Sequence, residues 1–427
     1  MLPSALISPP ATLAARYRQV RSATEALCAP LRPEDCVVQP VVDVSPPKWH
    51  MGHVTWFFEQ FFLKDYLPGY QIFHPKYAYL FNSYYEGAGE RVQRAYRGNM
   101  TRPSVQEVLE YRQYVDAHMA RWLEAHPDPA PRARYILEIG LQHEEQHQEL
   151  LHYDIKYILG HNPLFPAYRE AEQPRLSGPA PAEMTFLEME AGIYEIGHAG
   201  EGFCFDNELG RHRVFLEPYR VLDRLVTAGE YREFMEAGGY RDYRFWLEEG
   251  WKWVNMVQAD APKYWFPVEG EWQIFTLEGL RPLNPAEPVT HVNYYETQAF
   301  ARWKGMRLPT EFEWEAACRR YAPEIPAAAN FTDLGALHPI PRQSGDHQFF
   351  GDVWEWTQSA YLPYPRYHAE DSALGEYNGK FMVGQMVLRG GSCATPRGHI
   401  RATYRNFFHP HLQWLFSGFR LAADGLA

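Results

Sequence analysis

The sequence predicts a two-domain α+β protein, a four-helix bundle followed by an irregular mixed domain. Three observations carry this expectation. The chain has 427 residues, which at about 150 residues per domain allows two or three separate cores. Apolar residues recur at helical spacing up to about residue 164, whereas beyond residue 183 the pattern breaks into short strand candidates and long loops. Between these regions, YREAEQPRLSGPAPA is rich in Pro, Gly and charge, as linkers are. The expected divisions are 1–165, a linker over 166–182, and 183–427.

The first helix is expected in ATLAARYRQVRSATEALCAPL, which ends in a Pro-bearing stretch. Ser45 and the two prolines of SPPKW mark the start of a second, running through HMGHVTWFFEQFFLKDYL. A loop rich in Tyr, Asn and Gly follows. Ser104 then opens SVQEVLEYRQYVDAHMARWLEAH, with Glu107 at the third helical position completing a capping box. The last long helix is ARYILEIGLQHEEQHQELLHYDIKYILG, stopped near Gly160. In the second domain, strands are expected in MTFLEMEAGIYEIG, HRVFLEPYRVL and MVLRGGS, and two short helices in TAGEYREFMEAGG and NYYETQAFARWKGM. Nothing repeats as βαβ, and no internal repeat stands out.

Composition excludes several classes. Hydrophobic residues at 46% and charged residues at 22% are ordinary globular usage, which argues against wholesale disorder. No run of about 18 uncharged apolar residues occurs, and the start lacks a basic flank with a long apolar run, so neither a membrane span nor a secretion signal is expected. With 53 acidic against 41 basic side chains, the net charge of −12 repels a phosphate backbone, and nucleic acid is not an expected partner. Cys28, Cys36, Cys204, Cys318 and Cys393 are scattered and form no CxxC, which fits a reducing cytoplasm. Aromatic residues reach 15%, with 28 Tyr and 13 Trp, material for pocket walls and loop-rich packing.

The sharpest local signal is His143-Glu144-Glu145-Gln146-His147 within a helix. At about 100° per residue, positions i and i+4 lie within roughly 40° of each other, so both imidazoles leave one face and can meet one ion. Two ligands do not hold a catalytic metal. A third candidate is His53, which faces inward if Val54, Trp56 and Phe57 are packing residues. Three neutral nitrogen donors from two packed helices would leave coordination positions open. His50 and His152 are close rivals that periodicity does not separate from these. The same HEEQH run satisfies the HExxH pattern of zinc hydrolases, with Glu144 as general base, although no third ligand follows at the usual spacing.

Taken together, SPPKWHMGHVTWFFE, FNSYYEGAGER, HEEQHQELL and VLRGGSCATPRGHIRATYRNFF resemble the ergothioneine-biosynthesis sulfoxide synthases, which are non-haem iron enzymes. The resemblance covers nearly the whole chain. Its first part is similar to the DinB-like four-helix bundle. Its second part, with RLPTEFEWEAA, GDVWEWT, LRGGS and SGFRLA in order, is similar to the formylglycine-generating-enzyme type of C-type-lectin-like domain. The resemblance implies His53, His143 and His147 as ligands of Fe(II), O2 as co-substrate, and hercynine (trimethylated histidine) and a thiol as small-molecule substrates. A sulfur is joined to C2 of the imidazole and becomes a sulfoxide. Iron suits this chemistry because it changes oxidation state, which zinc does not.

The family also needs an acidic hydroxyl near the metal, and a phenol serves. One branch places it in a C-terminal segment where this chain reads LGEYNG, with Leu374 at the catalytic position and Tyr377 retained. Another branch carries a Tyr pair in the N-terminal loop, which Tyr84 and Tyr85 match. The resemblance further implies Gln146, Asn406 and Phe407 as pocket residues, with aromatic faces suited to a quaternary ammonium. It places Arg94, with Arg91 nearby, where the donor's carboxylate is held. Phe408 stands where branches using γ-glutamylcysteine carry Asp, which favours free cysteine or another small donor. Selenoneine synthases, which join hercynine to a selenosugar, resemble the same family and form the alternative. Formylglycine-generating enzymes need two neighbouring C-terminal cysteines, and only Cys393 lies in that region. A binding module without catalysis would need neither the inward histidines nor the Tyr pair.

Overall fold

A computed structural model describes residues 12–170, 183–343 and 345–425. Most of the expected linker, 171–182, lies outside the described residues. The chain divides into two compact units, one of residues up to Arg169 together with Glu370–Tyr377, the other of Glu170–Ala369 and Asn378 onward.

The first unit is built on four long helices, Leu13–Cys28, Pro47–Phe58, Val105–Ala125 and Pro131–Gly160. Their starts follow the local chemistry. Thr12 Oγ1 accepts the Ala15 N–H, and Ser104 and Glu107 form a reciprocal capping box. Pro47 and Pro131 occupy first-turn positions, where a missing N–H costs nothing. The second helix runs on through a π turn, Glu59–Leu63, into Lys64–Tyr66. There the Glu59 carboxylate accepts from Tyr70 Oη at 2.7 Å, Tyr111 Oη at 2.6 Å and the Phe73 N–H at 2.9 Å. Every residue of Pro47–Phe58 is buried, so this helix is the centre of the unit rather than a surface helix. It packs against the third and fourth helices, and the first packs against the fourth.

The second unit mixes small sheets and short helices. One sheet has the order Asn406–Phe408, Met386–Arg389, Trp354–Ala360, Ser417–Gly418, antiparallel except for the last pair. A second joins Phe186–Met189, Tyr219–Leu222 and Ala422–Asp424. A hairpin pairs Gly192–Ile196 with His212–Leu216, and a three-stranded meander spans Trp265 to Pro282. The expected helices form over Ala228–Glu236 and Tyr294–Trp303.

One further helix, Glu248–Val257, and several strands depart from the sequence expectation. Glu311–Tyr321 is also helical and buries Cys318. GDVWEWT, which is not among the expected strands, supplies the strand Trp354–Ala360. Its first four residues are all buried, so it lacks the alternation of a half-buried strand. The domain is held partly by internal ion pairs. Arg405 forks onto Glu311 at 2.8 and 2.9 Å, and Arg389 reaches the same carboxylate at 2.9 Å. No described helix is long and apolar enough to cross a membrane.

Candidate metal centre

The second and fourth helices face each other across three histidines. His143 and His147 leave one face of the fourth helix, as their four-residue spacing requires, and His53 meets them from the second. One ring nitrogen from each lies within 4.8 Å of the others, and all three side chains are buried. His53 Nε2 is 3.1 Å from His143 Nε2. Nitrogens bound to one ion at about 2.1 Å sit roughly 3 Å apart, so this spacing suits a shared cation.

Protonation points the same way. Burial pushes all three imidazoles below their ordinary value, His143 to about 3 and the other two also well down, and nearby imidazoles add to the effect, His50 among them in each case, while Glu144 opposes it at His143. They are neutral bases, as metal ligands must be. Outer contacts orient the rings. The His53 Nδ1–H donates to the Phe81 carbonyl at 2.6 Å, which leaves Nε2 as its lone pair. An added Cβ at Gly52 would overlap the Phe81 ring, so glycine permits that approach. Trp49 stacks on His53 with centroids 4.7 Å apart, and the Arg97 guanidinium lies 3.4 Å from the Trp49 ring centroid while donating to Ser45 Oγ. His143 Nδ1 is buried without a hydrogen-bond partner. Three neutral imidazoles, with one outer nitrogen orphaned, fit a divalent cation in their midst.

The two rivals are otherwise engaged. His152 Nδ1 lies 2.9 Å from the Gln148 carbonyl. His50 meets His147 Nδ1 at 2.7 Å on one side and Asp154 Oδ2 at 2.8 Å on the other. Sequence reading missed Asp154, although it lies seven residues beyond His147 and so on the same helical face. It also missed Phe81 and Trp49, which no local pattern marks.

The zinc-hydrolase alternative is corrected here. A general base needs a carboxylate free to take a proton from water. Glu144 is fully buried and accepts from Arg112 at 2.6 Å, Arg21 at 2.8 Å and Thr24 Oγ1 at 2.7 Å. Burial alone would raise its pKa, but the two guanidinium groups outweigh that and hold it below the usual carboxylate range. Its role is structural.

The remaining sequence candidates fall into two groups. Within the helical unit, Tyr84 and Tyr85 stack at 4.6 Å, and the Tyr85 ring lies 5.8 Å from Trp56. Tyr377, carried by the Glu370–Tyr377 segment, has its ring 5.7 Å from His143 and 6.4 Å from Tyr84, and its hydroxyl donates to Gln146 Oε1. Glu376 in that segment accepts the Glu86 and Gly87 N–H groups at 3.0 and 2.8 Å, tying down the loop after the Tyr pair. Arg91 and Arg94 line a cavity of about 570 Å³ with Tyr79, Ser83 and Glu86. Arg94 donates to the Val42 and Asp43 carbonyls at 3.0 and 2.7 Å, and Arg91 pairs with Glu86 at 2.6 Å. Asn406, Phe407 and Phe408 belong to the second unit. There Phe407 stacks on Tyr361 at 4.0 Å, and Phe408 packs edge-on to Trp414 at 5.3 Å.

Comparison with known proteins agrees with both units. Residues 16–151 match the DinB superfamily, and residues 173–425 match the sulfatase-modifying factor enzyme 1-like domain. The chain is 30% identical over 408 residues to the hercynine oxygenase of Mycolicibacterium smegmatis, covering 89% of this chain and 91% of that protein. It is 37% identical over 252 residues to the hercynine oxygenase of Mycolicibacterium thermoresistibile, covering 53% of this chain and about half, 55%, of that relative. A formylglycine-generating enzyme of Streptomyces coelicolor is 30% identical over 249 residues, 48% of this chain and 77% of that one. A relation running through both units, with a buried three-histidine group in the first, means that the chain belongs to the hercynine oxygenase family, the ergothioneine-biosynthesis sulfoxide synthases.

Proposed function

We propose that this oxygenase uses Fe(II) and O2 to join the sulfur of cysteine to C2 of the hercynine imidazole. The observation that carries the reading is the buried group of three neutral histidines, whose nitrogens converge while two of the rings are held from outside. Hercynine, cysteine and O2 yield hercynyl-cysteine sulfoxide and water. The C2–H and S–H bonds break, a C–S bond forms, one oxygen atom enters the sulfoxide and the other leaves as water. Iron held by His53, His143 and His147 would supply one-electron chemistry and activation of oxygen.

This chain's own residues would do the rest. Burial raises the Tyr85 phenol well above its ordinary pKa, and the neighbouring Tyr84 adds to the effect. The phenol therefore stays protonated, the form able to give a hydrogen atom, although burial makes it a weaker acid than a free phenol. Tyr377 and Gln146 form a hydrogen-bonded pair beside the ligand helix, suited to orienting a polar imidazole substrate. The cavity lined by Arg91 and Arg94 also holds Glu86 and Glu90, with Glu86 paired to Arg91, and the donor's carboxylate is assigned to Arg94 with Arg91 beside it. Phe408, packed on Trp414, offers no acidic group for a dipeptide's amine, which supports cysteine over γ-glutamylcysteine. Asn406 and Phe407 are assigned to the hercynine pocket. The five free cysteines accord with a cytoplasmic setting.

The test is anaerobic reconstitution with Fe(II), then air and hercynine with cysteine, γ-glutamylcysteine or a selenosugar in parallel, read by mass spectrometry. Hercynyl-cysteine sulfoxide is expected. An adduct with the selenosugar alone would move the enzyme to selenoneine synthesis while keeping the metal site, and no adduct with any donor would refute the reading.

A further inference from the structure

His50 sits three residues before a candidate ligand and is likewise buried, 2% exposed, yet the proposed chemistry leaves it unused. Its two ring nitrogens are both engaged. Nε2 lies 2.8 Å from Asp154 Oδ2, and Nδ1 lies 2.7 Å from Nδ1 of His147. The same Asp154 oxygen accepts the Ser45 N–H at 2.8 Å, so the carboxylate is anchored to the start of the second helix. His50 has no nitrogen left for an ion and is not a fourth ligand.

The proton positions follow from the donor and acceptor inventory. A carboxylate only accepts, so the proton between Asp154 and His50 belongs to His50 Nε2. The 2.7 Å contact between the two Nδ1 atoms holds one proton, and metal binding through the inner nitrogen of His147 requires that proton on His147 Nδ1, with His50 Nδ1 as the acceptor. His147 is thereby left with its lone pair on Nε2, its other ring nitrogen. We propose that Asp154 and His50 are positioning residues, a carboxylate–imidazole relay that sets the tautomer and ring orientation of His147 for metal binding. The inference rests on the three-histidine group being a metal site.

The three rings are supported unequally. His53 has a backbone carbonyl, His147 has the relay, and the outer nitrogen of His143 has no hydrogen-bond partner. A carbonyl needs no side chain to hold it in place, whereas the His147 support is made of two side chains and can be removed by substitution. Outer partners of metal-bound histidines typically contribute about 10–100-fold in metal affinity.

The experiment has two arms. Nitrogen-15 NMR of the metal-free wild-type protein reads the His147 tautomer directly, with the proton expected on Nδ1. Anaerobic titration with Fe(II) alone then compares wild type with His50→Phe, which removes the acceptor, and His50→Asn, whose carbonyl oxygen stands near the place of Nδ1. His50→Phe should bind Fe(II) about 10–100-fold more weakly, and His50→Asn should recover most of the loss. A His147 proton on Nε2 in the wild type, or undiminished Fe(II) affinity in His50→Phe, overturns the relay. A wild-type protein that binds no Fe(II) while showing the Nδ1 tautomer instead overturns the metal reading and leaves the relay as a feature of the fold.

Discussion

The fourth helix carries two buried polar clusters within one turn, and they are opposites. Around Glu144, a carboxylate meets Arg21, Arg112 and Thr24, and each acceptor oxygen has a donor. Around His143 and His147, neutral bases face one another, and the close contact joins two nitrogens that cannot both keep a free lone pair without something between them. In the first cluster both carboxylate oxygens are satisfied by protein donors, although Arg112 Nη1 is buried without a hydrogen-bond partner. The second is incomplete, and burying incomplete polar groups costs free energy that folding alone does not return. Opposite charges paired within the protein mark structure, whereas neutral nitrogen donors that converge on one another suit a shared cation.

The contrast is broken most directly at the ligands. His143→Ala and His147→Ala should each abolish stoichiometric Fe(II) loading, measured by metal analysis after anaerobic reconstitution, and full loading in both variants would discard the site. At the other cluster, Glu144→Gln should destabilise the metal-free protein by about 3–5 kcal/mol, because two buried guanidinium groups lose their shared partner. Surviving folded protein should still load iron, since Glu144 holds no ion. Acid sharpens the same point. The Glu144 pKa is depressed in the fold, so its contribution is present above the unfolded carboxyl value of about 4.3 and is lost as pH falls below it. Urea unfolding at falling pH should show that loss in wild type and its absence in Glu144→Gln.

The Tyr pair tests what the incomplete cluster is for. Tyr84→Phe combined with Tyr85→Phe should leave metal loading intact and shift products from C–S bond formation toward simple thiol oxidation, by about 100-fold or more. An unchanged product ratio places the proton source elsewhere. The smallest effect is a control. Ser104→Ala removes the capping box at the third helix and should cost about 1 kcal/mol without touching either cluster, so iron loading that falls with it would mean that general stability, not ligand geometry, governs the metal.

Much of this was legible in the chain. The four-residue spacing of His143 and His147 placed them on one face, and the Ser104–Glu107 signature marked a helix start that the fold contains. The choice between His50 and His53 was not legible. Both lie on the same buried helix, and what separates them is Asp154, more than a hundred residues away along the sequence, which claims one and not the other. The strand Trp354–Ala360 was missed because its first four residues are all buried and so show no alternation. HEEQH misled in the other direction, since a motif match does not say which way its glutamate turns.

Glu370–Tyr377 belongs to the helical unit but is separated from Gly160 by about 200 residues, so at ordinary elongation rates the ribosome delivers it about 10–40 s after the last long helix. In that interval the nascent bundle has its three histidines, while the Glu86 and Gly87 amides lack the carboxylate of Glu376 and Gln146 lacks the hydroxyl of Tyr377. A chain truncated before that segment would carry the three histidines without Tyr377, so translation order makes the histidine group before the phenol that packs beside it.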